Sequence, residues 1–401
     1  MSNKAIRNRL NAQRSNSIVV GGSDRGEIDS LKASLLFSGE DAVSSVVLDA
    51  SGKMYTEYKE PLEREGFAVL SLNYDTPANS PNGFNPFAQL HSFDDYVKMA
   101  DRLVRGDGDK FCTEAENIVM KAAALYIAEE GKGVEPSING LCRFLSLFDP
   151  DALEKGETCN ITKAFELHRD RVKESTGKDS ESYAQFKKLL KMSGRAVGTT
   201  VMYALADLNA LDTPELREMM SKSDFDLTST GQRKTVVFVN VSDFNRSNDA
   251  AVSLFFDMLL DRLCAYADSL PEKRLPIPVR LILDGFGTTV RIPGFERTIS
   301  GLNRRGISAI LAVKSLAQLE QGYGSGARII LANCPVKAYF GGSDPDTARV
   351  FTELTNKPLE KLLNMPPLTY WLVRQGEEAV CGKLAAPDDC KLLAPDRENE
   401  R

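Results

Sequence analysis

Residues 17 to 74 run strand, helix, strand, helix, strand, and that order constrains the fold more than any other feature of the chain. "SIVVG" (17–21) is a short apolar run that reads as a buried strand. Ile28, Leu31 and Leu35 mark one face of a helix over 27–37, and "SSVVLDA" (44–50) is a second strand. A helix over 53–66, ended by Gly66, leads to a third strand, "FAVLSLNY" (67–74). Helices between successive strands imply parallel pairing through right-handed crossovers. The alternation resumes after residue 230, with strands at 235–241, 278–286, 307–313 and 334–342 and helices at 248–268, 294–304, 315–321 and 344–356. A hairpin around Gly376 closes the pattern. From about 105 to 222 the apolar residues recur only at helical spacing, as in "AENIVMKAAALYIAEEG". The expected architecture is a discontinuous α/β domain, 1–104 and 223–401, interrupted by an inserted all-α domain at 105–222.

A chain of 401 residues is long enough for two such domains. Its net charge of -6 excludes a molecule that attracts nucleic acid by charge alone, so any such contact needs a local basic patch. The seven cysteines are scattered, with no Cys-x-x-Cys pair, and the two histidines, His91 and His168, lie far apart. Reduced thiols and no structural zinc are expected. No run approaches the ~18 apolar residues of a membrane span, and "MSNKAIRNRLNAQRSN" has no apolar core for a signal peptide. A soluble cytoplasmic protein without a membrane span of its own is the expectation.

Gly21, Gly22 and Gly26 fall where the first strand gives way to a helix, the context of a Walker A phosphate loop. Such a loop needs backbone N–H groups aimed at phosphate and a lysine to neutralise it. After Gly21-Gly22-Ser23 and Gly26, the lysine position is Glu27 and the hydroxyl position that helps bind Mg²⁺ is Ile28. Residues 23–29 sum to a charge of -2. Reversing one charge about 4 Å from a phosphate costs several kcal/mol even at an effective dielectric of about 20. The bland alternative is a strand–helix turn capped by its own acids, because Glu27 and Asp29 suit a helix N-terminus. Asp284, ending the strand "RLILD", stands at the Walker B position and is a weak metal candidate, but the next residue is Gly285 where a catalytic glutamate is usual.

The stretch "VVLDASGKMYTEYKEPLEREGFAVLSLNYDTPANSPNGFNPFAQL" resembles the region after Walker A in the TraG/TraD/VirD4 family of type IV secretion coupling proteins. Asn85-Pro86-Phe87 matches a family motif. "DKFCTEAE" is similar to the start of the family's all-α domain, with Cys112 where tryptophan is common. "RLPIPVRLILDGFGTTVRIPGFERTISGLNRRGISAILAVKSLAQLEQGYG" and "NCPVKAYFGGSDPDTARVFTEL" carry the most specific likeness, which runs from about 17 to 395. The resemblance implies a RecA-like P-loop NTPase parallel sheet with an inserted all-α domain, and a role in conjugative DNA transfer or type IV secretion. The departures fall on chemistry. Besides Glu27 and Gly285, Lys314 replaces the glutamine expected to sense the γ-phosphate, and Asp49-Ala50-Ser51-Gly52-Lys53 stands for Asp-Pro-Lys-Gly-Glu. The family's N-terminal membrane helices are expected to be absent.

These departures imply a catalytically degenerate pseudo-ATPase acting as an adaptor, a substrate-recruiting subunit or a ring component, with no cofactor. The pocket remnant comprises Gly21, Gly22, Ser23, Gly26, Glu27, Ile28, Asp49, Asp284 and Lys314, with a Glu27–Lys314 ion pair expected in place of γ-phosphate and Mg²⁺. Two alternatives stay open. One is a working, DNA-translocating ATPase that binds ATP and Mg²⁺ with a substitute cation (Arg25 or Lys53) and a substitute carboxylate (Asp49). The other is a non-motor nucleic-acid binder using 272–305, where seven basic residues face three acidic ones. Within it Arg291, Arg297, Arg304 and Arg305 are interface or DNA candidates, against the plainer reading of a solvated face. Expected partners are type IV secretion proteins, an active coupling ATPase, single-stranded DNA or a relaxase, and further copies in a homo- or hetero-oligomer.

Overall fold

The computed structural model describes residues 15–22, 25–36, 43–50, 52–106, 110–149, 151–152, 155, 157, 159–242 and 244–384; the side chains of Arg25, Glu27, Ser30 and Ser34 are outside that description. The chain opens with β1 (Ser17–Val20), α1 (Arg25–Leu36), β2 (Ser44–Asp49), α2 (Met54–Arg64) and β3 (Ala68–Asn73). A helical stretch follows, with α3 (Phe93–Leu103), α4 (Lys110–Ala128), α5 (Ile138–Leu145), α6 (Asn160–Thr176), α7 (Glu181–Leu189), α8 (Gly194–Asn209) and α9 (Pro214–Ser221). Alternation returns with β4 (Thr235–Asn240), α10 (Asp249–Ser269), β5 (Val279–Asp284), α11 (Phe295–Leu302), β6 (Ile307–Val313), α12 (Leu316–Tyr323) and α13 (Gly326–Ala332). It ends with β7 (Val336–Tyr339), α14 (Pro345–Thr355), α15 (Leu359–Leu363), β8 (Thr369–Arg374) and β9 (Val380–Lys383).

Two compact units result. One joins 1–75 to 226–401 and the other is 76–225. The second boundary lies within three residues of the expected 222/223. The first lies well before the expected 104/105, because α3 packs on α4 and so belongs with the helices.

In the α/β unit the strands form one sheet in the order β3-β4-β2-β5-β6-β1-β7-β8-β9. Pairing is parallel from β3 to β7, and β8 and β9 add an antiparallel edge. Every residue of β1, β2 and β6 is buried, which explains why these strands read as continuous apolar runs rather than as alternating ones. Val19, Val47, Phe238, Ile282, Ile310 and Ala338 share a core with Leu31 and Leu35 of α1 and with Met54 and Leu62 of α2. Each of these side chains larger than alanine, fully buried, contributes about 1.5–3 kcal/mol. This packing seats α1 against the sheet and fixes where its first turn points.

The helical unit is held by its own aromatic core. Tyr126 of α4 stacks on Phe144 of α5 at 4.5 Å, and Phe165 of α6 stacks on Phe186 of α7 at 4.3 Å. Five of its helices begin on side-chain caps: a Ser92–Asp95 capping box at α3, Ser137 at α5, Ser180 at α7, Ser193 at α8, and Thr213 followed by Pro214 at α9. Among the described residues no disulfide forms, and no helix is long and apolar enough to cross a membrane.

Candidate functional site

The carboxyl ends of β1, β2, β5 and β6, together with the loop after β4, line a cavity of about 420 Å³. In open parallel sheets this is the crevice in which ligands bind. Gly21 and Gly22 close the end of β1, Asp284 and Gly285 end β5, and Lys314 follows β6. Ile28, Asp29 and Lys32 enter from α1, and Phe244, Arg246, Thr288, Thr289 and Gln318 complete the lining.

The glycines that shape the loop are required by the fold itself. Gly21 has φ +90°, and a Cβ there would lie 1.8 Å from the carbonyl oxygen of Gly341. Its N–H donates to the Val313 carbonyl at 2.9 Å, and the Gly22 N–H donates to that of Gly341 at 3.2 Å. The turn is therefore sewn to the ends of β6 and β7 whether or not a phosphate is bound. Gly26 and Glu27 lie in the first turn of α1, while Ser23 lies outside the described residues. The expected Glu27–Lys314 ion pair also falls outside them, because the Glu27 side chain is not described. Lys314 itself is exposed at the cavity wall, its backbone N–H donating to Oε1 of Gln318 at 3.3 Å.

The central charge is one that sequence reasoning missed. Lys32 of α1 is 2% exposed, and its Nζ lies 2.7 Å from Oδ2 of Asp284 and 3.1 Å from Oδ1 of Asp29. Burial lowers its pKa, but the two carboxylates outweigh burial and hold it above the ordinary 10.5, so the ammonium stays charged. The signal was present in spacing. Lys32 stands four residues after Ile28 and next to Leu31, on the face counted as apolar, where a lysine stays buried only if it is paired.

Two expected participants have other duties. Asp49 is 1% exposed, and its Oδ2 accepts the Met54 N–H at 2.9 Å, capping α2 rather than facing the cavity. Gly285 has φ +65°, and a Cβ there would stand 2.3 Å from Oγ1 of Thr289. Its carbonyl accepts from the N–H groups of Thr288 and Thr289 and from the Thr288 hydroxyl, which folds the chain back sharply after β5. Arg246 reaches across to the Thr288 carbonyl and also bonds Asp249.

The basic segment is divided. Arg305 is 15% exposed and bidentate to Asp268, with bonds of 2.9 and 2.6 Å, and it also bonds the Gly301 carbonyl, so it is tied into the α10–α11 region. Arg297 is 89% exposed, and Arg291 and Arg304 are exposed as well. Among the described residues no cluster of His, Cys, Asp and Glu is arranged to hold a metal.

Solved structures share the fold. Plasmid coupling protein TrwB in complex with ADP and Mg²⁺ matches with a TM-score of 0.68 at 18% identity, over 94% of this chain and 86% of that one. The bacterial conjugative coupling protein TrwBdeltaN70 in complex with sulphate matches with 0.67 at 18% identity over the same shares. VirB4 of Thermoanaerobacter pseudethanolicus is more distant, with 0.52 at 14% identity over 94% and 91%. No curated protein matches. The α/β unit is thus the expected RecA-like P-loop NTPase sheet, interrupted by an all-α unit. The family model for type IV secretory system conjugative DNA transfer matches residues 6–357, and the chain belongs to that family.

Proposed function

We propose that this coupling-protein relative works in conjugative DNA transfer as a catalytically degenerate subunit. It would act as an adaptor, a substrate-recruiting protein or a ring component beside type IV secretion proteins and an active coupling ATPase. The observation that carries this reading is Gly285. The position from which a glutamate would polarise the attacking water is held at φ +65°, and a Cβ there would stand 2.3 Å from Oγ1 of Thr289, so a side chain would have to displace it. Hydrolysis would thus lack both its loop lysine and its water-activating carboxylate. The test is ATP turnover in Mg²⁺ by the wild-type protein, which is expected to stay at background.

One observation favours a second reading, an ATPase with a rearranged site that binds ATP and Mg²⁺. Lys32 brings into the cavity a buried ammonium that Glu27 cannot supply. Mg²⁺-dependent turnover that Asp284→Ala abolishes would establish that reading and sink the first. The exposed guanidinium groups of Arg291, Arg297 and Arg304 support a contact with single-stranded DNA or a neighbouring subunit. A phosphate contact of this kind is expected to weaken steeply as salt rises.

A further inference from the structure

In P-loop NTPases a divalent cation is held between the hydroxyl that follows the loop lysine and the aspartate ending a neighbouring strand. Neither half of that arrangement fits here. The hydroxyl position is Ile28, and Oδ2 of the aspartate, Asp284, is already 2.7 Å from the ammonium of Lys32. Asp29 holds the same ammonium from a second side at 3.1 Å. A divalent ion placed between these carboxylates would stand beside the ammonium they already hold, and the like charges repel. The described residues do not fit a divalent metal.

They do fit an anion. Lys32, Arg246 and Lys314 line the cavity against two carboxylates, Asp29 and Asp284, both of which are engaged with Lys32. The hydroxyl-bearing Thr288 and Thr289 and the first turn of α1 border the same space. A ligand that brings its own negative charge therefore meets Lys32, Arg246 and Lys314 already in place, without a divalent ion carried in beside it.

We infer that Lys32 is a resident cation standing in for the divalent metal, so that a polyphosphate-bearing ligand of the nucleoside diphosphate class enters this cavity without metal. The inference rests on the reading of the chain as a degenerate member of its family, and it goes further by assigning the site a ligand and a charge.

The wild-type protein is titrated by calorimetry with ADP, and in parallel with inorganic pyrophosphate, in EDTA and in Mg²⁺. Mn²⁺ alone is titrated with paramagnetic resonance as readout. ADP or pyrophosphate affinity is expected to agree within about twofold between the two buffers, with no tightly bound Mn²⁺. Lys32→Met, which keeps buried volume while removing charge, is expected to lose about tenfold in EDTA. Lys314 is exposed, so Lys314→Gln keeps the fold and is expected to weaken binding several-fold even if the Lys32 variant does not fold. The inference is overturned by affinity that depends on Mg²⁺, by Mn²⁺ held in the wild type and lost in Asp284→Asn, by unchanged binding in Lys314→Gln, or by no binding of either probe. Failure to bind either probe leaves the degenerate-ATPase reading standing, whereas Mg²⁺-dependent turnover removes it.

Discussion

Lys32 and Gly285 mark opposite limits of what single residues disclose. Lys32→Ala removes the partner of Asp284 from a site where the lysine is 2% exposed, and is expected to cost about 3 kcal/mol in denaturant unfolding. Because the carboxylates raise the Lys32 pKa, this contribution is complete below the ordinary 10.5 and is lost only as pH rises through the higher folded value. Neutral and mildly alkaline solutions should therefore leave it untouched. Gly285→Glu looks from sequence like the restoration of a catalytic residue. The geometry gives the opposite expectation: a left-handed φ costs about 1–2 kcal/mol in a residue with a Cβ, and Thr289 adds a collision. Its melting temperature should drop and its ATP turnover should stay at background; a gain in turnover would contradict the closed turn. The altered positions were legible in the sequence because a motif fixes what should stand at 27, 28 and 285. Lys32 was not, since no motif assigns a residue there and an apolar face was judged by its leucines.

At the scale of elements, the strongest polar construction is the start of α7. Glu129, just after α4, is 6% exposed, and its carboxylate accepts from the N–H of Glu181 at 2.6 Å and from the hydroxyls of Ser180 and Ser182 at 2.8 and 2.7 Å. Nε2 of His168 on α6 donates to the same carboxylate at 3.0 Å, so three helices meet at one buried acid. Nδ1 of His168 has no partner among the described residues, which suits a neutral ring and penalises its protonation. Burial accordingly lowers the His168 pKa below 6.5, and Glu129 recovers only part of the shift. A depressed pKa gives stability that is present above pH 6.5 and lost as pH falls through the folded value, with a slope of up to about 1.4 kcal/mol per pH unit. Thermal melts from pH 7 to 5 should show this loss, and His168→Gln should flatten it. Among the described residues, all nine strands were legible from their apolar runs, and helices such as α1, α2 and α10 from their period. The short α13 and α15 were not, because five to seven residues cannot display a helical period. Nor does a run of alternating elements reveal that β1 ends up between β6 and β7.

At the scale of the molecule, the helical unit is an insertion whose two ends meet. The Gly83 N–H donates to Oδ2 of Asp224 at 2.6 Å, the Phe84 N–H donates to the Met219 carbonyl at 3.1 Å, and Phe84 and Ser223 form an antiparallel bridge. Entry and exit are thus joined within the unit itself. The expected bounds of the insertion were 105 and 222, and this clasp lies at 83–84 and 219–224. α3 is amphipathic and could belong to either neighbour by pattern alone, and only its packing on α4 assigns it. Ends that meet, an independent aromatic core and capped helices are what an autonomously folding insertion requires. The excised chain 76–225 is therefore expected to be helical by circular dichroism and to melt in one cooperative transition. Asp224→Ala should lower that transition, because it leaves the Gly83 N–H without its side-chain acceptor, at a cost of about 1–3 kcal/mol. A non-cooperative melt of the excised chain would mean that the helices depend on the sheet for their packing.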